Sequence, residues 1–149
     1  MSYEERNAWA AMLVNVMIVT YFGWKVFTMN AEGAFAGENG PVIWAQTVLW
    51  MIPVSIVATI VLTIVFNIAA SIAANDENPD FTTDERDKRF SARSMIAAMI
   101  VISVGWIGGL VLLAMGGAVL VTLNVVLFGF AAGSFASDVT KIFFYRRGY

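Results

Sequence analysis

The 149-residue chain contains neither cysteine nor histidine. The absence of cysteine excludes disulfides, thiolate nucleophiles, iron–sulfur ligation and cysteine zinc sites. The absence of histidine excludes an imidazole base, a Ser-His-Asp triad and histidine-ligated haem or metal. An enzyme would have to work with Asp, Glu, Lys, Tyr, Ser or Thr alone. We predict a protein that is not an enzyme and that has no catalytic residue, no metal site and no cofactor.

Charge is also scarce, because only 13% of the residues are charged while 59% are hydrophobic. Soluble domains carry about 25% charged residues. Four apolar blocks lie between the charged residues, at about residues 8–27, 42–70, 95–114 and 118–144. Each block reaches the roughly 20 residues that a helix needs to cross a bilayer. The sequence predicts an all-α fold, an integral membrane bundle of four antiparallel transmembrane helices in a single domain over residues 1–149.

A polar connection over about residues 71–94 separates the second span from the third. Within it, Thr82 followed three residues later by Glu85 fits a capping box, which marks the start of a helix. The charged run from Asp84 to Arg89 is therefore predicted to extend the third helix into water. A solvated charged loop is the alternative.

The third and fourth spans are separated only by a tight turn around Gly116 and Gly117, which predicts an antiparallel helical hairpin. Small residues recur on both spans, where they let another helix approach closely. This pattern predicts helix packing and leaves a homo-oligomer open. The small residues are Gly105 and Gly109 on the third span and Gly129, Gly133 and Ser137 on the fourth.

Eight of the nine basic residues lie on one side of the predicted spans, and only Lys25 lies near the opposite end. By the positive-inside rule, both termini and the connection over residues 71–94 face the cytoplasm. The net charge of −2 and the position of the basic groups beside the spans argue against a nucleic-acid partner. The eight residues are Arg6, Arg86, Lys88, Arg89, Arg93, Lys141, Arg146 and Arg147.

Polar groups inside the spans are the candidates for a solute path. The second span has a polar residue at every fourth position, and this row either joins helices through hydrogen bonds or lines a hydrated path. Asn67 is predicted to hydrogen-bond to a neighbouring helix. On the fourth span, Asp138 and Lys141 lie three residues apart and are predicted to pair with each other. The row consists of Ser55, Thr59, Thr63, Asn67 and Ser71.

Three segments together resemble small prokaryotic membrane proteins with four spans, of the domain-of-unknown-function type. They are the opening Met1–Trp9, the central Asp84-Glu85-Arg86-Asp87 and the closing Val139–Tyr149 with its Tyr-Arg-Arg-Gly motif. The resemblance implies the cytoplasmic (inner) membrane of a bacterium or an archaeon. It implies no catalytic residue, because that family has no established activity.

The leading functional hypothesis is a non-enzymatic accessory or regulatory membrane subunit. Its expected partners are the lipid bilayer and a membrane or cytoplasmic protein, with Arg86, Lys88 and Arg89 as the contact residues. The alternative is a small-solute or ion transporter or channel that uses the polar row with Asp138 and Lys141. An enzyme comes third, because the spacing of the acidic residues between the second and third spans is not that of a calcium loop. Those residues are Asp76, Glu77, Asp80, Asp84, Glu85 and Asp87.

Overall fold

Four helices make up the part of the chain that the structure, a computed structural model, describes: residues 3–74 and 84–147. They are α1 (Tyr3–Ala31), α2 (Gly40–Ala74), α3 (Glu85–Ala114) and α4 (Val119–Arg147). Each helix is long and apolar enough to cross a membrane. No strand occurs within the two described ranges. The predicted all-α fold with four apolar helices is confirmed.

Much of the connection that we predicted over residues 71–94 is helical, because α3 already begins at Glu85. The N-cap of α3 is Asp84, which forms a capping box with Asp87 through two reciprocal hydrogen bonds. These bonds satisfy backbone N–H groups that the first turn of a helix leaves free. The predicted helical extension is confirmed, but its cap is Asp84 rather than Thr82, which lies outside the described residues.

Helices α3 and α4 form the largest interface of the protein. The turn between them depends on Gly116, whose φ of 81° favours glycine. Gly105 and Gly129 meet backbone to backbone, since a Cβ atom on Gly105 would lie 2.7 Å from the Cα atom of Gly129. Farther from the turn, a Cβ atom on Gly133 would lie 3.0 Å from the carbonyl oxygen of Ala98. The prediction that another helix approaches each small-residue surface closely is confirmed, and the two surfaces approach each other.

The remaining helices are arranged so that α1 packs against both α2 and α4, while α2 makes only a small contact with α4. The order across the protein is therefore α2, α1, α4 and α3. One end of the protein carries the short connections over residues 32–39 and 115–118, and we call it the turn end. At the opposite end, α1 and α3 begin and α2 and α4 terminate, and we call it the charged end.

A cluster of buried hydrophobic residues lies near the turn end. Val26, Phe35, Trp44 and Met51 are buried there and contact a group of α4 leucines. The indole Nε1–H of Trp44 also donates to Oδ1 of Asn124 at 2.9 Å, which joins α2 to α4. Toward the charged end α2 and α3 are separated, and the space between them holds the candidate site.

Candidate functional site

A cavity of about 770 Å³, which we call the polar cavity, lies at the charged end and is bordered by residues of all four helices. Helices α1 and α4 supply its charged groups, which are Glu4, Asp138 and Lys141. Thr63 contributes from α2 and Ser94 from α3. A row of polar side chains thus faces a cavity within helices that are otherwise apolar, where hydrogen-bonding groups need polar partners.

Lys141 forms an ion pair with α1. Its Nζ atom lies 3.0 Å from Oε2 of Glu4, and the two side chains are 20% and 19% exposed, respectively. We predicted that Lys141 would pair with Asp138, but its direct ion-pair contact is with Glu4 on another helix, and Asp138 is attracted to Lys141 without a direct contact. The ion pair joins α1 to α4 at the charged end.

Asp138 is held by α1 as well. The side-chain amide of Asn15 donates to Oδ2 of Asp138 at 3.2 Å and to Oγ of Ser134 at 2.8 Å. Among the residues that the structure describes, Asn15 is the only hydrogen-bond donor to the Asp138 carboxylate. Asp138 lies nine residues before Arg147, which is about 14 Å along α4 from its end at a rise of 1.5 Å per residue.

The polar row on α2 does not face a single path. Ser55 donates to its own helix at the carbonyl oxygen of Met51, at 2.7 Å. Thr59 is exposed on the surface, whereas Thr63 borders the polar cavity. These three hydroxyl side chains therefore lie in three different environments. Of the three, only Thr63 borders the polar cavity.

Asn67 joins α2 to α1. Its amide donates to Oδ1 of Asn7 at 2.9 Å and to the backbone carbonyl of Thr63 at 3.0 Å. This contact confirms the predicted hydrogen bond between Asn67 and a neighbouring helix. Asn7 and Thr63 both border the polar cavity, so the bond closes one side of it.

A second cavity of about 340 Å³, which we call the apolar cavity, lies between α1, α2 and α4 toward the turn end. Its lining is almost entirely hydrophobic, and Asn15 and Ser55 are its polar members. Phe130 borders both the apolar and the polar cavity. The two cavities therefore adjoin each other at about the level of Asn15 and Phe130.

The start of α3 carries three basic residues, Arg86, Lys88 and Arg89, which we call the basic extension, and the acidic Glu85 is exposed beside them. All three residues are exposed. Asp87, between them, is only 8% exposed, and its Oδ1 atom accepts a hydrogen bond from the Tyr145 hydroxyl at 2.6 Å. The buried carboxylate thus ties the start of α3 to the end of α4.

An aromatic cluster supports the basic extension. Phe90 is 2% exposed and lies 5.4 Å from the Phe144 ring in a stacked arrangement. It also meets Tyr145 edge to face at 5.1 Å. The guanidinium of Arg86 lies over the Phe90 ring at 5.1 Å. Sequence reasoning missed this cluster, because it treated the run around Asp87 as a solvated surface.

The described residues contain no group of three or more acidic side chains that could hold a metal ion. Asp76, Glu77 and Asp80 of the acidic connection lie outside that part of the chain. Comparison with protein-family models, with curated proteins and with solved structures finds no match. The structure therefore supports a general assignment only: it has four apolar helices, as a multi-pass membrane protein does.

Proposed function

We propose that the protein is a non-enzymatic accessory or regulatory subunit of the cytoplasmic membrane of a bacterium or an archaeon. In this proposal both termini face the cytoplasm, and the basic extension binds an acidic surface of a membrane or cytoplasmic protein. The observation that carries the proposal is the set of contacts that hold the helix start bearing Arg86, Lys88 and Arg89. A capping box, the Asp87–Tyr145 hydrogen bond and the aromatic cluster all fix the turn that bears them.

The position of the basic extension supports a protein partner rather than lipid alone. The third apolar block begins near Met95, and α3 extends from there back to Glu85. At 1.5 Å per residue, Arg86 lies about 14 Å and Arg89 about 9 Å beyond Met95 along the helix. The headgroup layer on each side of a bilayer is about 5–8 Å thick. These side chains therefore reach the water layer, where an acidic protein surface is accessible.

Co-purification of the tagged full chain in mild detergent tests this proposal. We expect a partner that is recovered with the wild type and depleted about tenfold by a triple change of Arg86, Lys88 and Arg89 to alanine. Three exposed charge pairs at about 0.5 kcal/mol each account for that factor. The matched control is the double variant Arg86→Lys and Arg89→Lys, which retains all three charges.

Two further results decide the outcome. Reciprocal purification of the tagged partner should recover the wild-type chain and not the triple-alanine variant. If no protein is enriched with the wild type relative to the triple-alanine variant, and the chain moves solutes when purified, the subunit proposal is wrong.

The polar cavity favours a second candidate, a transporter or channel for small solutes or ions. It places Asp138 and several hydroxyl groups within helices that could cross a membrane. A flux assay with the purified chain in proteoliposomes is the direct test. Flux of ions or of cationic solutes above that of empty vesicles would support transport, and flux equal to that of empty vesicles would count against it.

A further inference from the structure

The two cavities adjoin each other beside one carboxylate. Phe130 borders both of them. Asn15 borders the apolar cavity and donates a hydrogen bond to Asp138, which borders the polar cavity. The carboxylate of Asp138 therefore lies at the boundary between a polar and an apolar space. Such a boundary suits a ligand that is itself polar at one end and apolar at the other.

The charged side chains of the polar cavity, Glu4, Asp138 and Lys141, carry a net charge of −1 when all three are ionised. Lys141 is in direct contact with Glu4 at 3.0 Å and attracts Asp138 without touching it, so one cation is shared between two carboxylates. Within the described part of the chain, Asp138 receives a single hydrogen bond, from the neutral amide of Asn15. An ionised carboxylate in a low-dielectric environment is costly unless a proton neutralises it or a cation compensates it. A positively charged group is therefore the preferred occupant beside Asp138.

The apolar cavity offers space for a hydrocarbon chain. Helix α1 lines it with Val19 and Phe22, α2 with Met51 and α4 with Leu127. The hydroxyl of Ser55 is already bonded to the backbone of its own helix, so it needs no partner from a ligand. An alkyl chain in this space would give its lining the dispersion contacts that an empty void lacks.

We propose that the two cavities together bind an amphiphile, with an ammonium group beside Asp138 and an alkyl chain in the apolar cavity. Phe130 lies at the boundary between the two cavities, where the polar and apolar parts of such a ligand would meet. The same chemistry is found in a lipid with an amine headgroup and in a free cationic amphiphile. The inference requires neither a protein partner nor solute flux, so its test is independent of both proposed functions.

Binding of dodecyltrimethylammonium to the purified full chain tests the proposal. A scintillation-proximity assay on immobilised protein in maltoside detergent counts only the labelled probe that is bound to protein. We expect saturable binding that unlabelled dodecyltrimethylammonium displaces, whereas dodecanol and dodecanoate displace it at least about tenfold more weakly. Affinity should also rise with chain length from butyl- to dodecyltrimethylammonium. Equal displacement by dodecanoate would overturn the proposal.

Variants locate the site. Asp138→Asn retains the shape of the side chain and removes its charge, and we expect it to weaken probe binding at least about tenfold. The matched control, Glu38→Gln, removes one carboxylate from an exposed position at the turn end and should bind like the wild type. Asp138→Glu restores the charge and should recover most of the affinity. Equal binding by Asp138→Asn and Glu38→Gln would also overturn the proposal.

A second variant covers the case in which Asp138→Asn does not fold, as judged by size-exclusion chromatography. Ala131 borders the apolar cavity. Ala131→Leu should fill part of that cavity and weaken dodecyltrimethylammonium more than butyltrimethylammonium. An equal effect on the two probes would contradict the placement of the chain.

Competing lipids distinguish the two sources of the ammonium group. Displacement of the probe by phosphatidylethanolamine, but not by phosphatidylglycerol, would assign the site to an amine headgroup. Binding of the probe that neither lipid displaces would assign it to a free cationic amphiphile. Displacement by phosphatidylglycerol alone would contradict a cation site.

Discussion

The α3–α4 pair and the attachment of α2 differ in how the helices meet. Helices α3 and α4 approach until Gly105 and Gly129 touch backbone to backbone. Helix α2 instead carries large side chains, and a polar contact holds it near each end. These contacts are the Trp44–Asn124 hydrogen bond at the turn end and the Asn67–Asn7 hydrogen bond at the charged end.

The difference explains where the cavities lie. Lipid is as apolar as leucine, so helices in a membrane gain little from hydrophobic burial and depend on close packing or on hydrogen bonds. Glycine contacts bring two backbones together along their length and leave little space between them. Between the two polar contacts of α2, the apolar cavity borders this helix along Val48–Ile56, and the polar cavity borders it at Thr63. The tight pair thus serves as a scaffold, while the larger side chains and spaced contacts of α2 leave room for a ligand beside it.

The largest loss of stability is expected from a substitution at the contact between Gly105 and Gly129. A methyl group on Gly105 would lie 2.7 Å from the Cα atom of Gly129, so Gly105→Ala must move one backbone away from the other. We expect it to lower the free energy of unfolding by about 3 kcal/mol relative to Gly108→Ala. Gly108 is the matched control, because it lies on the same helix and a Cβ atom there meets nothing within 4 Å. Unfolding by dodecyl sulfate in mixed micelles measures both variants.

Both alanine substitutions raise helix propensity by a similar amount, so their difference reports packing alone. Equal stability of Gly105→Ala and Gly108→Ala would show that α3 and α4 do not touch at Gly129.

A smaller loss of stability is expected at the charged end, where polar and aromatic contacts join α3 to α4. Tyr145→Phe removes the hydrogen bond to the buried Asp87 carboxylate, which measures 2.6 Å. Hydrogen bonds to charged groups contribute about 1.5–3 kcal/mol, and we expect a loss of about 2 kcal/mol in the free energy of unfolding. Tyr21→Phe is the control, because Tyr21 is 53% exposed. The same unfolding assay measures both variants, and equal stabilities would assign the Asp87–Tyr145 contact no energetic role.

The contacts of the α3–α4 pair could be predicted from the sequence in some detail. A hairpin that turns at Gly116 and Gly117 brings together residues whose numbers add up to about 234. Gly105 with Gly129, and Phe90 with Phe144, satisfy that sum and are in contact. The position of the turn therefore predicts that Phe90 and Phe144, two members of the aromatic cluster, lie close together.

The attachment of α2 could not be predicted in this way. A long connection separates it from α3, so no turn fixes its register, and apolar length does not determine which helices are neighbours. For the same reason the partners of Lys141 and Asp138, which are Glu4 and Asn15, came from α1 rather than from α4 itself. Spacing along one helix predicts local pairs, whereas these contacts depend on how helices rotate against each other.

The smallest effect is expected at the Asn67–Asn7 contact. Hydrogen bonds between membrane helices average about 0.6 kcal/mol. In addition, Oδ1 of Asn67 is buried with no hydrogen-bond donor among the described residues. Asn67→Leu removes this unsatisfied oxygen, and the stability gained in that way offsets part of the stability lost with the hydrogen bond to Asn7. We expect Asn67→Leu to change the free energy of unfolding by less than about 1 kcal/mol.

A double-mutant cycle of Asn67→Leu with Asn7→Ala isolates the contact itself, and its expected coupling energy is about 0.6 kcal/mol in the same unfolding assay. The control cycle combines Asn67→Leu with Trp44→Phe, which lies 23 positions away on α2, or about 34 Å along the helix, and should give a coupling near zero. A coupling between Asn67 and Asn7 above about 2 kcal/mol would mean that hydrogen bonding secures α2 about as firmly as the glycine contact secures α3. Weak contacts of α2 could then not explain the cavities beside it, because that explanation requires a small coupling energy.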